Sequence, residues 1–402
     1  MTTRMRMTMA TGLATGLCLL PAGCTQGAAA PASTRVASSP SVTGSPAAAP
    51  SFTVTRVASF DEPWAMTFLP GTDQLLISLR GGELLLRNQA TGALAPVAGV
   101  PDVVVAGQGG LGDVVAGPTF AADGLVYLSW VEAGPGGTSG AAVGRARLEL
   151  ADGAPALREL TVLWRQQPKR DGSGHFGHRI AFSPDRRHLF ISSGERQAFD
   201  PAQDLSGNLG KIVRLNLDGS TPADNPFATR GGVAAEVWSY GHRNPLGLAF
   251  APDGTLWESE MGPRGGDEVN VILPGRNYGW PLVSDGTHYD GRDIPDHAPG
   301  DGFEEPRVSW NPSISPGSLL IYTGTQFPEW VGDAFIGALS GTSLIRVDLD
   351  GSRAAPADRW GDETDPELGE RIRAVQQGPD GALWVLQDGR DAALLRLDRT
   401  AG

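Results

Sequence analysis

The stretches Phe250-Ala-Pro-Asp-Gly-Thr-Leu-Trp and Gln377-Gly-Pro-Asp-Gly-Ala-Leu-Trp-Val-Leu decide the fold, because they share one frame in distant parts of the chain. Each contains the end of an apolar strand, a tight turn and the start of a second apolar strand. Proline presets φ for such a turn, aspartate caps it through its side chain, and glycine takes the position with positive φ. The frame recurs with variations in three other stretches: Phe68-Leu-Pro-Gly-Thr-Asp-Gln-Leu-Leu-Ile, Phe120-Ala-Ala-Asp-Gly-Leu-Val-Tyr-Leu and Phe182-Ser-Pro-Asp-Arg-Arg-His-Leu-Phe-Ile.

The spacing of these frames predicts an all-β fold, a six-bladed β-propeller over residues 52–402. The interval between the last two frames is long enough for two units, and we place the missing hairpin at 327–339, with its turn at Trp330-Val-Gly-Asp-Ala-Phe. Six small antiparallel sheets of this kind form a propeller of four-stranded blades. A pair of β-sandwiches, the competing fold, would not repeat a turn and a strand at one period. No stretch shows sustained helical periodicity.

The composition excludes two other classes of protein. The chain of 402 residues has 32 Lys and Arg against 45 Asp and Glu, which gives a net charge of −13. A nucleic-acid-binding protein would instead carry a basic stripe, so we expect no nucleic-acid partner. The 55 glycines and 31 prolines are too many for a coiled coil or a long-helix protein, because both residues interrupt helices.

The first 51 residues have the features of an export signal and a tether. Arg4 and Arg6 precede an apolar stretch that ends in Leu19-Leu-Pro-Ala-Gly-Cys, a string that resembles the cleavage site of bacterial lipoproteins. We predict a signal peptide over 1–24 and lipidation of Cys24, with an ordinary secreted protein as the alternative. Residues 25–51 are rich in Ala, Pro and Ser and predict a tether. The expected location is extracytoplasmic, with the lipid anchor as the only link to a membrane.

Four polar loops between the predicted hairpins contain the candidate functional residues, because a propeller collects loops around the mouth of its central channel. The first loop is glycine-rich and offers Gln108 as a hydrogen-bonding side chain. The second contains His175 and His178. Since the chain after residue 24 has no cysteine, a histidine is the natural general base, and spacing does not rank these two.

The other two loops offer groups that polarise an electrophile and groups that bind a cation. Arg243 presents a planar guanidinium next to the amide of Asn244, a pairing suited to a carbonyl or carboxylate oxygen. The segment from Glu260 to Glu268, with Asn277-Tyr-Gly-Trp-Pro after it, combines carboxylates with glycine-rich backbone. Such an all-oxygen environment is the one that Ca²⁺ prefers. A blade-bridging arginine and a solvated acidic turn are the alternatives.

Two strings stand out: Tyr240-Gly-His-Arg-Asn-Pro, and Gly262-Pro-Arg-Gly-Gly-Asp-Glu with Asn277-Tyr-Gly-Trp-Pro after it. Both resemble the soluble aldose sugar dehydrogenases, the family of quinoprotein glucose dehydrogenase. The resemblance covers roughly residues 52–397. It implies an oxidoreductase that uses pyrroloquinoline quinone (PQQ) and Ca²⁺ to oxidise aldose sugars at C1 to the lactone. Because the chain has no Cys-x-x-Cys-His haem motif, the electrons would pass to an external acceptor.

The resemblance also implies a role for each candidate residue. His175 would be the general base that takes the proton of the anomeric hydroxyl, and Arg243 would polarise the quinone carbonyl. Met261 and Trp310 would line the sugar site. The other cofactor contacts would be Gln108, Arg179, Asn244, Arg371 and Arg373. Arg371 and Arg373 would lie on one face of a strand, because they are two residues apart. The main-chain oxygens of Gly262 and Pro263 would hold the catalytic Ca²⁺, and Glu268 with the carbonyl of Tyr278 a second Ca²⁺.

Three positions differ from the family's pattern. Ser340 stands where the family often has a cofactor-binding lysine, Met261 where Gln or His is common, and Leu79 where Glu is common. A lost charge-assisted contact costs about 1.5–3 kcal/mol, so the sequence predicts weakened PQQ binding. Two other functions stay open: a calcium-stabilised propeller that binds without catalysis, and a lactonase-type metal-dependent hydrolase.

Overall fold

Six four-stranded antiparallel sheets make up the computed structural model, which describes residues 50–150 and 154–400. The first blade contains β2 (Pro63–Phe68), β3 (Gln74–Leu79), β4 (Glu83–Asn88) and β5 (Leu94–Pro96), and the second contains β6 (Leu111–Ala116), β7 (Leu125–Ala133), β8 (Ser139–Glu149) and β9 (Ala156–Arg165). The third blade contains β10 (Gly177–Phe182), β11 (His188–Ser193), β12 (Lys211–Asn216) and β13 (Val237–Tyr240), and the fourth contains β14 (Pro245–Phe250), β15 (Leu256–Glu260), β17 (Asp267–Val271) and β19 (Val308–Trp310). The fifth blade contains β20 (Pro316–Ile321), β21 (Ala334–Ala338), β22 (Ser343–Asp350) and β23 (Arg353–Trp360), and the sixth contains β24 (Ile372–Gln377), β25 (Leu383–Gln387), β26 (Ala392–Arg399) and β1 (Phe52–Phe60). The short strands β16 (Arg264–Gly265) and β18 (Gly286–Thr287) pair with each other. The predicted six-bladed β-propeller is confirmed.

The blades close into a ring through their first strands and through the N-terminal strand. The first strands contact one another in the order β2, β6, β10, β14, β20 and β24, and β24 contacts β2 again. Strand β1 pairs antiparallel with β26, from Phe52 opposite Arg399 to Phe60 opposite Ala392. The last blade is therefore built from both ends of the described chain, which locks the ring.

The six predicted hairpins all join the first strand of a blade to its second strand, as in β14 to β15 and β24 to β25. One turn differs from the prediction. Phe120–Asp123 forms a single helical turn, α1, which ends at Gly124 with φ of 67° and an N–H bonded to the carbonyl of Phe120. This stretch has two alanines and no proline, and alanine favours the helical conformation.

One edge of the ring gathers the candidate functional residues, for a topological reason. Since a hairpin joins the far ends of the first and second strands, the start of the first strand and the end of the second lie at the same edge of each blade. We call this edge the mouth. Residues just before first strands are Gln108, His175, Arg243 and Arg371, and residues just after second strands are Arg80, Glu195, Met261, Ser340 and Asp388.

Apolar side chains from neighbouring blades pack between the sheets and form the core. The cluster between the first two blades contains Trp64, Leu76, Leu128 and Trp130, all buried. Within the described residues, no helix is both long and apolar enough to cross a membrane. The predicted signal peptide with Cys24, and the tether up to residue 49, lie outside the described residues.

Candidate active site

Two cavities lie at the mouth and share a wall. The broad cavity has a volume of about 460 Å³, and its lining includes Gln108, Arg371 and Arg373. The His175 pocket has a volume of about 240 Å³, and its lining includes His175 and Arg243. Tyr289 lines both cavities. The predicted base His175, the predicted electrophile Arg243 and three of the predicted cofactor contacts are therefore brought to adjoining spaces.

Two hydrogen bonds orient His175 in its pocket. Its Nδ1 lies 2.5 Å from Oε1 of Glu195, and its main-chain N–H donates to Oε1 of Gln108 at 2.7 Å. A proton on Nδ1, directed to the carboxylate, leaves Nε2 as the acceptor. Burial lowers the pKa of His175, and the hydrogen bond with Glu195 opposes this in part. Burial therefore favours the unprotonated imidazole, the form that can accept a proton.

Glu195, which the sequence reasoning missed, also organises a strained loop. Its carboxylate accepts the main-chain N–H groups of Gln197 at 3.0 Å, Ala198, and Phe199 at 2.6 Å. Burial alone would raise the pKa of Glu195, but the hydrogen bonds from His175 and Phe199 lower it, so the side chain is ionised. Arg196, Gln197 and Phe199 have φ of 63°, 56° and 62°, a costly region for residues other than glycine. The loop displays Gln197 and Phe199 in the His175 pocket.

His178 has a different environment, and this separates the two candidate histidines. Its ring stacks on Trp64 with centroids 5.0 Å apart, and its Nδ1 lies 2.7 Å from the hydroxyl of Ser129. Burial and the adjacent charge of Arg179 lower the pKa of His178 to about 3. Within residues 50–150 and 154–400 it has no carboxylate partner, so the geometry favours His175 as the base.

Arg243 and Asn244 keep free polar atoms at the mouth. One terminal nitrogen of Arg243 donates to the carbonyl of Met261 at 2.9 Å and the other to the hydroxyl of Tyr289 at 3.3 Å. Its Nε, and Oδ1 of Asn244, are buried without a hydrogen-bond partner among the described residues. Buried polar atoms of this kind are costly unless a ligand satisfies them. Both main-chain N–H groups donate to Oε2 of Glu260, which fixes the loop.

Arg371 and Arg373 form a paired cationic wall in the broad cavity. Arg371 precedes β24, and the register of that strand shifts between Ile372 and Ala374, yet both guanidinium groups reach Asp388. Arg371 donates to Oδ2 at 2.8 Å and 2.9 Å, and Arg373 to Oδ1 at 2.7 Å and 2.9 Å. Asp388, also missed from the sequence, therefore aligns the two arginines and neutralises one of their two charges.

A third arginine of the same cavity is likewise paired. Arg80 lies 2.6 Å from Oε1 of Glu62, and it also donates to the carbonyl of Gly107. The three arginines of the broad cavity thus pair with two carboxyl groups, Glu62 and Asp388, so its cationic side chains outnumber its acidic ones by one. The residues present thus fit an anionic, carboxylate-bearing cofactor such as PQQ, although the excess charge is small.

Two predicted site residues lie away from these cavities. Arg179 is buried in the channel, where it donates to the carbonyls of Leu246 and Gly317 and to Asp113, and it packs 3.9 Å over the ring of Trp64. Its guanidinium bridges blades and is satisfied by the protein. Trp310 is half-buried against the core at β19 and lines neither cavity. The aromatic wall of the His175 pocket consists instead of Phe199, Trp280, His288 and Tyr289.

The three positions that differ from the family's pattern occupy the mouth or lie next to it. Ser340 is exposed, and its hydroxyl lies 2.7 Å from that of Ser315, a lining residue of the broad cavity. Met261 lines the same cavity, with its sulfur 3.9 Å from Nδ2 of Asn244. Leu79 is buried in β3. Ser340 therefore lies next to the cavity, whereas Leu79 belongs to the core.

The predicted cation ligands surround a small acidic pocket. Gly262, Glu260, Glu268 and Tyr278 line a cavity of about 10 Å³, and Pro263 lines the adjoining His175 pocket. A side chain at Gly262 would collide with the carbonyl of Gly266, so the backbone there must pass close to its neighbour. Burial, and then the charge of Glu260, raise the pKa of Glu268 well above its ordinary value. The donors are all oxygens, which fits Ca²⁺.

Comparison with known proteins identifies the family of the chain. The family model described as Glucose / Sorbosone dehydrogenase matches residues 60–396. The chain belongs to this family. The aldose sugar dehydrogenase YliI of Escherichia coli (strain K12) is 42% identical over 341 residues, which are 84% of this chain and 90% of that protein. The resemblance drawn from the sequence motifs is thereby confirmed, and so is the prediction of a dehydrogenase of this family.

Solved structures of the family superpose on the propeller. The apo form of the E. coli aldose sugar dehydrogenase has a TM-score of 0.81 and 42% identity, covering 87% of this chain and all of that one. The PQQ-bound form of the Streptomyces coelicolor aldose sugar dehydrogenase has a TM-score of 0.71 and 29% identity, covering 87% of this chain and 99% of that one. A family member thus binds PQQ on this fold.

Proposed function

We propose that this glucose/sorbosone dehydrogenase family member oxidises aldose sugars at C1 to the lactone, with PQQ and Ca²⁺ as cofactors and an external electron acceptor. The observation that carries the proposal is the His175–Glu195 pair in a pocket that also contains Arg243. The PQQ-bound relative supports the choice of cofactor. A lactonase-type hydrolase would need no paired arginines beside such a base.

The His175 pocket would bind the sugar and remove its proton. Nε2 of His175 accepts the proton of the anomeric hydroxyl, and Glu195 stabilises the imidazolium that forms. Aromatic faces at Phe199 and Trp280 can pack against the apolar face of a sugar ring, and Gln197 supplies an amide for its hydroxyls. When bound, PQQ supplies the acceptor for the hydride that leaves C1.

The broad cavity would hold the cofactor. Arg371 and Arg373 would pair with its carboxylates, and Gln108 would contact the quinone. Arg243 and Asn244 would use their unpartnered polar atoms to form hydrogen bonds with the cofactor. The carbonyls of Gly262 and Pro263 would hold one Ca²⁺, and Glu268 with the carbonyl of Tyr278 the second. We propose that Arg179 supports this site from within the channel, because its guanidinium already donates hydrogen bonds to the carbonyls of Leu246 and Gly317.

A loading and turnover experiment tests the proposal. Full-length protein is titrated with PQQ in excess Ca²⁺, and dye reduction is then followed on a panel of aldoses. We expect stoichiometric binding and sugar-dependent reduction, and we expect His175→Ala to lose about 10²- to 10⁴-fold in kcat while PQQ binding persists. His188→Ala is the matched control, because His188 begins β11 at the end away from the mouth. Absence of PQQ binding would instead favour the non-catalytic binding propeller.

We also propose that the protein works outside the cytoplasm, anchored through Cys24. The support is the lipoprotein-like string before Cys24 and the Ala/Pro/Ser-rich tether after it. Cell fractionation of the wild type and of Cys24→Ala tests this. We expect the wild type in the membrane fraction and the variant in the soluble fraction, and equal distribution of both would contradict lipidation.

A further inference from the structure

Four oxygen-bearing side chains lie together on one face of the fourth blade. In the register of β15 and β17, Glu260 is opposite Glu268 and Glu258 is opposite Asn270. Directly opposed residues of an antiparallel pair, and residues two apart on one strand, point to the same face. All four side chains are buried. We call this set the acidic square.

The acidic square has three buried carboxyl groups and few cationic neighbours. Like charges directly opposite each other destabilise a sheet, and burial removes the water that would screen them. Within the described chain, the ion-pair partners of the three glutamates are histidines alone. Nδ1 of His242 lies 3.1 Å from Glu260, and Nε2 of His297 lies 3.9 Å from Glu268. Both ring nitrogens of His297 are buried without a hydrogen bond.

Two oxygens of the square are buried acceptors with no donor. The amide nitrogen of Asn270 donates to Oε2 of Glu258 at 3.2 Å and to Oε2 of Glu268 at 3.1 Å. Oε1 of Glu258 and Oδ1 of Asn270 are left without any partner in the part of the chain that the structure describes. Ligand atoms of His242, Glu258 and Glu260 all lie within 4.8 Å of one another. Orphaned acceptors among buried carboxylates indicate a missing positive ligand.

We propose that Glu258 and Asn270 extend the cation site at Glu268, so that the acidic square holds a divalent cation through Glu258, Glu268 and the amide oxygen of Asn270. This inference rests on the second Ca²⁺ of the proposed function and adds ligands to it. Glu268 and one carbonyl are too few for Ca²⁺, which takes six to eight oxygens. The adjoining cavity of about 10 Å³, lined by Glu260 and Glu268, offers room for one small ligand.

Calcium binding in the absence of PQQ and sugar tests this inference separately from the dehydrogenase activity. Full-length protein freed of metal with EDTA is titrated with Ca²⁺ by calorimetry, and its thermal unfolding is measured with and without the metal. We expect the wild type to bind Ca²⁺ and to gain thermal stability. In Glu258→Gln, we expect at least about 10-fold weaker binding, because one carboxylate is lost. The same variant should unfold at a higher temperature than the wild type in EDTA, since the cost of burying that carboxyl group is gone.

Two further variants keep the test decisive. Asn270→Leu removes the orphaned oxygen with little change of shape and should also weaken Ca²⁺ binding. Glu83→Gln removes an exposed carboxylate of β4 and should behave as the wild type. Equal Ca²⁺ affinity in the wild type, Glu258→Gln and Asn270→Leu would overturn the inference. A wild type that binds no Ca²⁺ would also overturn it, and in that case the carboxyl groups share protons instead. Either result would leave PQQ-dependent turnover to be judged by its own experiment.

Discussion

At the scale of single residues, Glu195 connects the base to the loop that shapes the pocket. One oxygen is bonded to the imidazole and to one main-chain N–H, and the other is bonded to two further N–H groups. The signal in the sequence is positional: Glu195 follows the second strand of its blade by two residues. A search for polar residues just after second strands would have found both Glu195 and Asp388.

Replacing Glu195 by glutamine should weaken the base without unfolding the protein. Gln keeps the shape but not the charge that stabilises the imidazolium, so we expect kcat to fall about 10²-fold or more. The hydrogen bond to Glu195 and the charge of its carboxylate raise the pKa of His175, so loss of that charge should move the acidic limb of the kcat/KM profile to lower pH. Steady-state kinetics across pH measure both effects. Glu83→Gln serves as the control, and an unchanged kcat would contradict the role of Glu195.

Restoring a cation at position 340 should strengthen cofactor binding. Three arginines of the broad cavity are already paired with Glu62 and Asp388, so an added lysine contributes unpaired charge. We expect Ser340→Lys to lower the Kd for PQQ about 10-fold, and the gain to shrink at high salt. Equilibrium titration measures it, with Ser340→Gln as the uncharged control. An equal gain in the glutamine variant would show that size rather than charge is responsible.

At the scale of elements, the strained turn after β11 places a partly exposed aromatic ring where the sugar would lie. Phe199 has φ of 62°, and its ring stacks near Trp280 with centroids 5.7 Å apart. Strain at a pocket is retained when the surroundings enforce it, and here the carboxylate of Glu195 does so.

Two substitutions at Phe199 separate the strain from the ring. Both Phe199→Gly and Phe199→Ala remove the aromatic face, and we expect KM for the sugar to rise about 10-fold in each with a small change in kcat. Glycine accepts positive φ whereas alanine does not, so Phe199→Gly should be more stable than Phe199→Ala by about 1 kcal/mol. Denaturant unfolding of the pair measures the difference. Equal stabilities would show that the turn stores no strain.

The elements of the fold were easier to predict than the details of the site. The turn frames at 250 and 377 have a local mechanical cause, so they locate hairpins without knowledge of the rest of the chain. The pairing of Arg371 and Arg373 with Asp388, and the burial of Arg179 between blades, depend on which strand ends meet across the ring. No local pattern contains that information. Trp310 illustrates the same limit, because its position in β19 turns the ring to the core.

At the scale of the whole molecule, the ring depends on the pairing of β1 with β26. Deletion of residues 51–60 would expose the edge of β26, and an unpaired edge strand promotes association between molecules. We expect the deletion variant to aggregate, and its soluble fraction to unfold over a broader and lower temperature range. Light scattering and calorimetry measure these effects. Thr55→Ala in β1, a mild change at an exposed position, is the control, and a monomeric deletion variant with wild-type stability would contradict the role of β1.

The same pairing dictates when the protein can finish folding. Residues of β1 are made early, but their partners in β26 lie roughly 340 residues later in the chain. At about 5–20 residues per second, the first strand waits on the order of 20 to 70 s for its partner to be synthesised. Folding therefore cannot be completed one blade at a time as the chain emerges. The sixth blade has to assemble last, and until then the early strand needs protection from mispairing.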